Sequence, residues 1–102
     1  MLPVYEIDCT GIKSPNELWQ RYFDTVPVLD PESFGYTLDS FWDGVQWGGP
    51  GWPGECELVF RNVSALRELK TFGGKPFLEA FRQLVADTDR VKIRLIETSN
   101  QH

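Results

Sequence analysis

The sequence predicts an α/β domain in which a three-stranded parallel sheet packs against about four helices, in the order β-α-α-β-α-α-β. Three short runs rich in β-branched and aromatic residues alternate with longer segments whose apolar residues recur at helical spacing. Because helical segments separate the strands, the strands are joined by crossovers and lie parallel. The chain of 102 residues has no internal repeat and no linker, so we expect residues 1–102 to form a single domain.

The first strand and the first helix are marked by local signals. Residues 4–9 are the predicted strand. Ser14 is the predicted N-cap of the helix, Pro15 takes the first helical position, and Glu17 completes a capping box. A loop with two prolines, 26–36, follows the helix. The apolar stripe of this helix consists of Leu18, Trp19, Tyr22 and Phe23.

The second helix is predicted over residues 38–46, with Thr37 as its N-cap. Asp39 and Asp43 form an i, i+4 pair on a different face from the apolar stripe. The Gly- and Pro-rich segment 48–54 is predicted to be a loop. The apolar stripe of this helix consists of Leu38, Phe41, Trp42 and Val45.

The second half of the chain repeats the alternation. A strand is predicted over residues 57–60, followed by a short helix capped by Asn62 and reaching Leu69. A longer helix is predicted over 76–87. Apolar and other residues then alternate over 90–97, which predicts the last strand.

The distribution of charge along the chain limits the possible binding partners more than the net charge of −5 does. A pI near 4.7 argues against nucleic-acid partners and anionic membrane surfaces, and it fits a basic protein partner. No Lys or Arg lies between Arg21 and Arg61, whereas that stretch holds seven acidic residues and three of the four tryptophans. Acidic side chains interleaved with aromatics suit recognition of a basic protein. An acidic solvated face with its aromatics in the core explains the same pattern equally well.

The sequence also indicates the cellular compartment in which we expect the protein. No apolar run is long enough to cross a membrane, and the N-terminus lacks the basic and apolar regions of a secretion signal. We therefore expect a cytoplasmic protein. Cys9 and Cys56 form no C-x-x-C pair and are expected to be reduced, partly buried thiols.

No catalytic constellation stands out. The only histidine, His102, lies in a predicted frayed tail, and metal sites rich in His and Cys are excluded by count. Asp39 and Asp43 have the chemistry to hold a hard cation or to act as paired catalytic carboxylates, but solvated carboxylates on a helix are far commoner. The segment 48–54 lacks the Lys-Ser/Thr of a phosphate-binding loop, and Trp52 within it is expected to fold back onto the domain. We expect no enzymatic activity, no cofactor and no metal.

The segment 34–43, Phe-Gly-Tyr-Thr-Leu-Asp-Ser-Phe-Trp-Asp, resembles the recognition segment of barstar-type ribonuclease inhibitors. In that family an aromatic-Gly pair leads into a helix with the pattern Leu-Asp-x-apolar-Trp-Asp. The matching residues here are Gly35, Leu38-Asp39 and Trp42-Asp43. The order of the other elements is similar too, so the resemblance covers essentially the whole chain and implies a barstar-like fold.

The resemblance implies a cytoplasmic inhibitor that binds a secreted basic ribonuclease one-to-one, blocks its active site, and is a monomer when free. Asp39 and Asp43 are the implied phosphate mimics, with Asp43 the more important. Trp42 is an implied half-buried prop beside them, and Gly35 allows the loop backbone to approach the enzyme. The remaining expected partner-binding residues are Phe34, Tyr36, Thr37, Trp47, Trp52, Gln83 and Asp87.

Three departures from the family pattern support a second hypothesis. Gln83 stands where the family often has an acidic residue on the last helix, although Asp87 one turn later is acidic. Ser33 replaces an expected aromatic residue, and the insert that carries Trp47 and Trp52 is longer than usual. The alternative is an immunity or regulatory module on the same fold that binds a different, non-barnase-type partner in the cytoplasm or among toxins.

Overall fold

The computed structural model describes residues 2–71 and 73–97, and the predicted frayed tail with His102 lies outside them. Three parallel strands make one sheet in the described part, in the order β1-β2-β3. This confirms the predicted α/β class and the three-stranded parallel sheet. The strands are β1 (Val4–Asp8), β2 (Glu57–Arg61) and β3 (Lys92–Ile96), and the α-helices are α1 (Pro15–Thr25), α2 (Leu38–Trp47) and α3 (Phe77–Asp87).

The sheet presents two different faces. With the strands in chain order, right-handed crossovers bring the helices to the same side of the sheet. The opposite side carries the ion pairs Arg61–Glu6 (3.8 Å) and Arg94–Glu57 (2.9 Å). Val59 lies in register with Glu6 and Arg94 and is only 1% exposed, because the stems of these long side chains cover it. None of the helices in residues 2–71 and 73–97 combines the length and the hydrophobicity needed to span a membrane.

Both predicted N-caps of the first two helices are confirmed. The Ser14 hydroxyl accepts a hydrogen bond from the Glu17 amide (3.3 Å), and Thr37 Oγ1 accepts one from the Ser40 amide (3.1 Å). In a capping box, the Glu17 carboxylate would accept a hydrogen bond from the amide of the N-cap, Ser14. It accepts instead from the amide of the preceding residue, Lys13 (2.6 Å). The start of α2, and with it the position of Asp39, is therefore set by local chemistry.

The predicted fourth helix, from Asn62 to Leu69, is wrong. The described chain contains only a short 3₁₀ helix there, Val63–Leu66. Asn62 has φ of 59°, in the left-handed region, and its side chain donates to Asp8 Oδ1 (2.8 Å) instead of capping a helix. An N-cap needs an extended backbone that turns its side chain toward the following amides. Asn62 thus ties β2 to β1, and a short 3₁₀ helix follows it in place of the predicted α-helix.

Aromatic rings fill the space between the sheet and the helices. The Trp19 indole is fully buried and stacks on Phe41, with ring centroids 5.0 Å apart. This cluster joins all three α-helices through direct ring contacts. The other rings around Trp19 are those of Phe34, Phe77 and Phe81.

The two cysteines are free, buried thiols. Cys9 follows the end of β1 and Cys56 precedes the start of β2, so they lie at opposite ends of the parallel pair, roughly 20 Å apart by strand geometry. That separation is too large for a disulfide. Burial raises the pKa of Cys9 to about 12 and that of Cys56 to about 11, so both stay protonated at neutral pH.

Gly44 lies in the middle of α2, where glycine is a poor helix former. A Cβ at this position would lie 2.8 Å from the carbonyl oxygen of Pro50, so glycine is needed for the 48–54 loop to approach the helix. We expect Gly44→Ala to destabilise the protein by about 1–3 kcal/mol, because the backbone clash outweighs the gain of about 1 kcal/mol in helix propensity. Urea denaturation measures this change.

The matched control for this variant is Gly73→Ala. A Cβ there would meet no atom within 4 Å, and the backbone is not left-handed. This change is expected to be neutral or to stabilise by about 0.4–1 kcal/mol. A Gly44→Ala protein as stable as the wild type would contradict the close approach of loop and helix.

Asp8 joins the carboxyl ends of β1 and β2. Its Oδ1 accepts hydrogen bonds from the Thr10 amide (3.0 Å), the Thr10 hydroxyl (2.7 Å) and Asn62 Nδ2 (2.8 Å). Mainly the Thr10 hydroxyl, and then Asn62, hold the pKa of Asp8 at about 2, below its usual 3.8.

A carboxylate whose pKa is lower in the folded protein stabilises it above the unfolded pKa, and this stabilisation is lost as the pH falls through the folded value. We therefore expect the free energy of unfolding to drop between about pH 4 and pH 2 by less in Asp8→Asn than in the wild type. In Thr10→Ala the drop should be smaller than in the wild type, since the loss of a main donor brings the pKa of Asp8 in the folded protein closer to its unfolded value. Urea midpoints across this pH range test both, and identical profiles in all three proteins would contradict the assignment.

Candidate functional site

Helix α2 exposes three side chains to solvent: Asp39, Asp43 and Trp47. They are spaced by four residues and follow one another along one side of the helix. We call them the α2 stripe. The opposite side is anchored in the core by Phe41 and Val45, which are at most 1% exposed. The buried side therefore determines which way the stripe points.

The two carboxylates of the α2 stripe have no cationic partner within 4.0 Å among residues 2–71 and 73–97. The basic side chains that do form ion pairs in this part of the chain pair elsewhere. Arg61 and Arg94 pair across the open face of the sheet, and Arg67 and Arg82 both pair with Glu97. The negative charge of α2 is therefore uncompensated locally and available to an external cation or basic group.

The loop before α2 is held by aromatic packing. Phe34 is buried, with its ring edge-on to Phe23 (5.0 Å) and to Trp19 (5.6 Å). Tyr36 packs against Phe23 and Phe34, and its hydroxyl donates to Gln20 Oε1 (3.3 Å). Phe34, expected from the sequence to bind a partner, thus lies in the core and supports the loop from below.

Tyr36 has φ of 56°, a left-handed conformation that is uncommon for a residue with a large side chain. Such a conformation costs roughly 1–3 kcal/mol and persists where the surroundings enforce it. Next to it, Gly35 is exposed, and a Cβ on it would collide with Ser40 Oγ. The ring contacts of Tyr36 hold this part of the loop against α1, and the Thr37 cap joins it to α2.

A groove of about 1100 Å³ lies beside the stripe, between α1, α2 and α3. Asp39 and the half-buried Trp42 line it from α2, and Gln83 and Asp87 line it from α3. The Gln83 amide donates to an Asp87 carboxylate oxygen (3.3 Å). Asp43, Trp47 and Trp52 are not among the groove residues. Of the expected partner-binding residues, Asp43 and Trp47 therefore lie on α2 outside the groove, whereas Phe34 and Trp52 lie in neither place.

The C-terminal end of α2 is fastened to the turn between α3 and β3. Gln46 donates through Nε2 to Asp89 Oδ1 (2.7 Å) and accepts through Oε1 from the Asp89 amide (3.0 Å). Arg90 donates to the Gln46 carbonyl (3.2 Å), and its guanidinium lies 5.0 Å from the Trp52 ring centre. Trp52 therefore folds back onto the domain, as the sequence predicts. Sequence analysis missed Gln46, Asp89 and Arg90, since contacts over more than 40 residues leave no local pattern.

The loop 48–54 is fixed by three hydrogen bonds to distant parts of the chain. The buried Tyr22 hydroxyl donates to the Gly51 carbonyl (2.9 Å). The Leu29 amide donates to the Trp52 carbonyl (2.9 Å), and the Gly51 amide donates to the Leu29 carbonyl (2.7 Å). Glycine is required at position 51, because φ is 92° and a Cβ would lie 2.9 Å from the Phe34 ring. The loop thereby packs against the buried side of α2, at Gly44.

The candidate site contains no grouping of metal ligands. Within the described ranges, no three side chains of His, Cys, Asp and Glu come together in a way that could hold a metal ion. Asp39 and Asp43 lie on the helix surface as two separate carboxylates. Such carboxylates can accept charge-assisted hydrogen bonds from the cationic groups of a partner.

Comparison with known proteins does not assign this site. No protein-family model matches the sequence, and no curated protein matches it either.

The hydrogen bond from Tyr22 to Gly51 gives a direct test of how the loop is held. We expect Tyr22→Phe to destabilise the protein by about 1–2 kcal/mol, because the buried Gly51 carbonyl loses its donor. Tyr5→Phe is the control, since the Tyr5 hydroxyl makes no hydrogen bond within residues 2–71 and 73–97. Chemical denaturation measures both, and equal losses in the two variants would contradict the role of Tyr22.

Proposed function

We propose that this protein has a barstar-like fold and acts as an intracellular inhibitor of a basic ribonuclease, blocking the active site of the enzyme with α2 and the loop before it. The observation that carries the proposal is the pair of exposed carboxylates, Asp39 and Asp43, with no cationic partner in the described chain. A ribonuclease active site presents Arg and Lys side chains to the phosphates of RNA. Carboxylates can accept the same charge-assisted hydrogen bonds.

The spacing of the pair supports this proposal. Residues four apart on a helix are separated by about 6 Å along its axis. Two carboxylates at this spacing can engage two neighbouring cationic groups on one enzyme surface. They also raise the rate of encounter with a basic protein, because neither carboxylate is neutralised by an ion pair within the described residues.

The surrounding residues support the same interface. Gly35 leaves the loop backbone uncovered, Tyr36 and Thr37 hold the loop in one conformation, and Trp42 lies half-buried beside the two aspartates. A surface built on a packed helix loses little conformational entropy when it binds. Asp87, with Gln83, adds a further polar contact across the groove.

The proposal includes a simple mode of action. The protein binds its target one-to-one, is a monomer when free, works in the cytoplasm without a cofactor, and catalyses no reaction itself. Inhibition follows from occupying the site where RNA would bind.

Gln83 favours a second candidate, a barstar-fold immunity or regulatory module for a partner other than a barnase-type enzyme. The side chain of Gln83 is neutral and its amide donates to Asp87. Lys70 lines the same groove. A target of this surface needs less positive charge opposite α3 than opposite α2.

The test is a titration of the protein into basic microbial ribonucleases, with RNA cleavage measured at low and high salt. We expect stoichiometric inhibition that weakens with salt, and at least about a tenfold rise in the inhibition constant for Asp43→Ala. Glu68→Ala is the control, because it removes one exposed negative charge outside the α2 stripe and the groove. Equal effects of the two variants would leave only a non-specific charge effect, and no inhibition at all would favour the second candidate.

A further inference from the structure

Trp47 differs from the other tryptophans of the chain. Its side chain is 68% exposed, whereas the other three are buried or half-buried. Exposed tryptophan leaves a large apolar surface in water, which is unfavourable for the free protein. Nothing in the fold of the described residues requires an indole at this position.

The residues after Trp47 leave it uncovered. Gly48, with φ of 78°, ends α2 in the left-handed conformation, and Gly49 follows without a side chain. The chain then turns back toward the buried Gly44 and leaves the Trp47 side chain 68% exposed. The indole therefore projects from the end of α2 as a continuation of the α2 stripe, one helical turn beyond Asp43.

We propose that the indole of Trp47 occupies the nucleobase pocket of the target ribonuclease while Asp43 and Asp39 engage its phosphate-binding groups, an inference that rests on the proposed function. In RNA, each phosphate is joined through a ribose to a planar aromatic base. An enzyme that cleaves beside a base needs a surface for that base close to its phosphate site. The α2 stripe places a residue with a planar aromatic ring one helical turn beyond a carboxylate, about 6 Å along the helix axis.

The chemistry of the indole fits such a pocket. Protein sites for bases rely on stacking against aromatic or cationic side chains, which tolerates any flat π-system. Indole stacks well, and its single N–H can donate to an acceptor that would otherwise meet a base. Tryptophan is also among the residues that most often anchor protein interfaces. The Asp43 carboxylate takes the place of a phosphate and the Trp47 indole takes the place of a base, so that together they mimic the substrate.

The experiment measures inhibition of the ribonuclease found in the titration above, using Trp47→Ala, Trp47→Phe and, as control, Val4→Ala. Val4 is 53% exposed on β1, so it removes exposed apolar surface away from α2. We expect Trp47→Ala to raise the inhibition constant about tenfold with an unchanged salt dependence. Trp47→Phe should retain most of the affinity, and Val4→Ala should match the wild type. Thermal melting verifies that the variants fold.

Competition separates the base pocket from the phosphate site. Each of the four free nucleosides is added to the inhibited enzyme, and inorganic phosphate is added in a parallel series. At least one nucleoside should weaken inhibition by the wild type and leave inhibition by Trp47→Ala unchanged, whereas phosphate should weaken both.

Two outcomes distinguish this inference from the proposed function. If Asp43→Ala loses inhibition but Trp47→Ala does not, or if no nucleoside discriminates between the wild type and Trp47→Ala, the base-pocket inference is wrong and the inhibitor proposal stands. If the wild type inhibits no ribonuclease, both are overturned.

Discussion

The close approach between α2 and the 48–54 loop is the constraint on which the rest of the candidate site depends. Gly44 has no side chain, so the carbonyl of Pro50 can lie against the helix backbone. The Tyr22 hydroxyl then holds the neighbouring Gly51 in place from α1. Because this contact and the aromatic core fix the inner side of α2, the outer side is fixed as well. The exposed stripe is a consequence of how the buried side packs.

The outer side of α2 is acidic. The chain is acidic as a whole, yet its acids differ in their surroundings. Asp8 accepts hydrogen bonds from Thr10 and Asn62, and Glu97 pairs with two arginines, whereas Asp39 and Asp43 form no ion pair within the described chain. Solvated carboxylates cost the fold little. They are also available to accept charge-assisted hydrogen bonds from the basic groups of a partner, as the proposed function requires.

Rigidity links the fold to binding. Gln46, Asp89 and Arg90 fasten one end of α2, and Thr37 with the left-handed Tyr36 fixes the other. A helix held at both ends presents its side chains at constant spacing and loses little conformational entropy if it binds a partner. The proposed mimicry of a phosphate and a base requires such constant spacing.

Local sequence determined where the strands lie and where the first two helices begin. Ser14 and Thr37 cap α1 and α2 where the pattern predicts them, and the alternation of apolar runs predicts three parallel strands, because these features depend on neighbouring residues. Tertiary structure decided the rest. Asn62 carries the signal of a helix cap, but its side chain bonds to Asp8 at the end of the neighbouring strand, and only a short 3₁₀ helix follows. The exposure of Trp47, the burial of Phe34 and the fastening of α2 by Arg90 depend on contacts between residues distant in the chain, which no local pattern encodes.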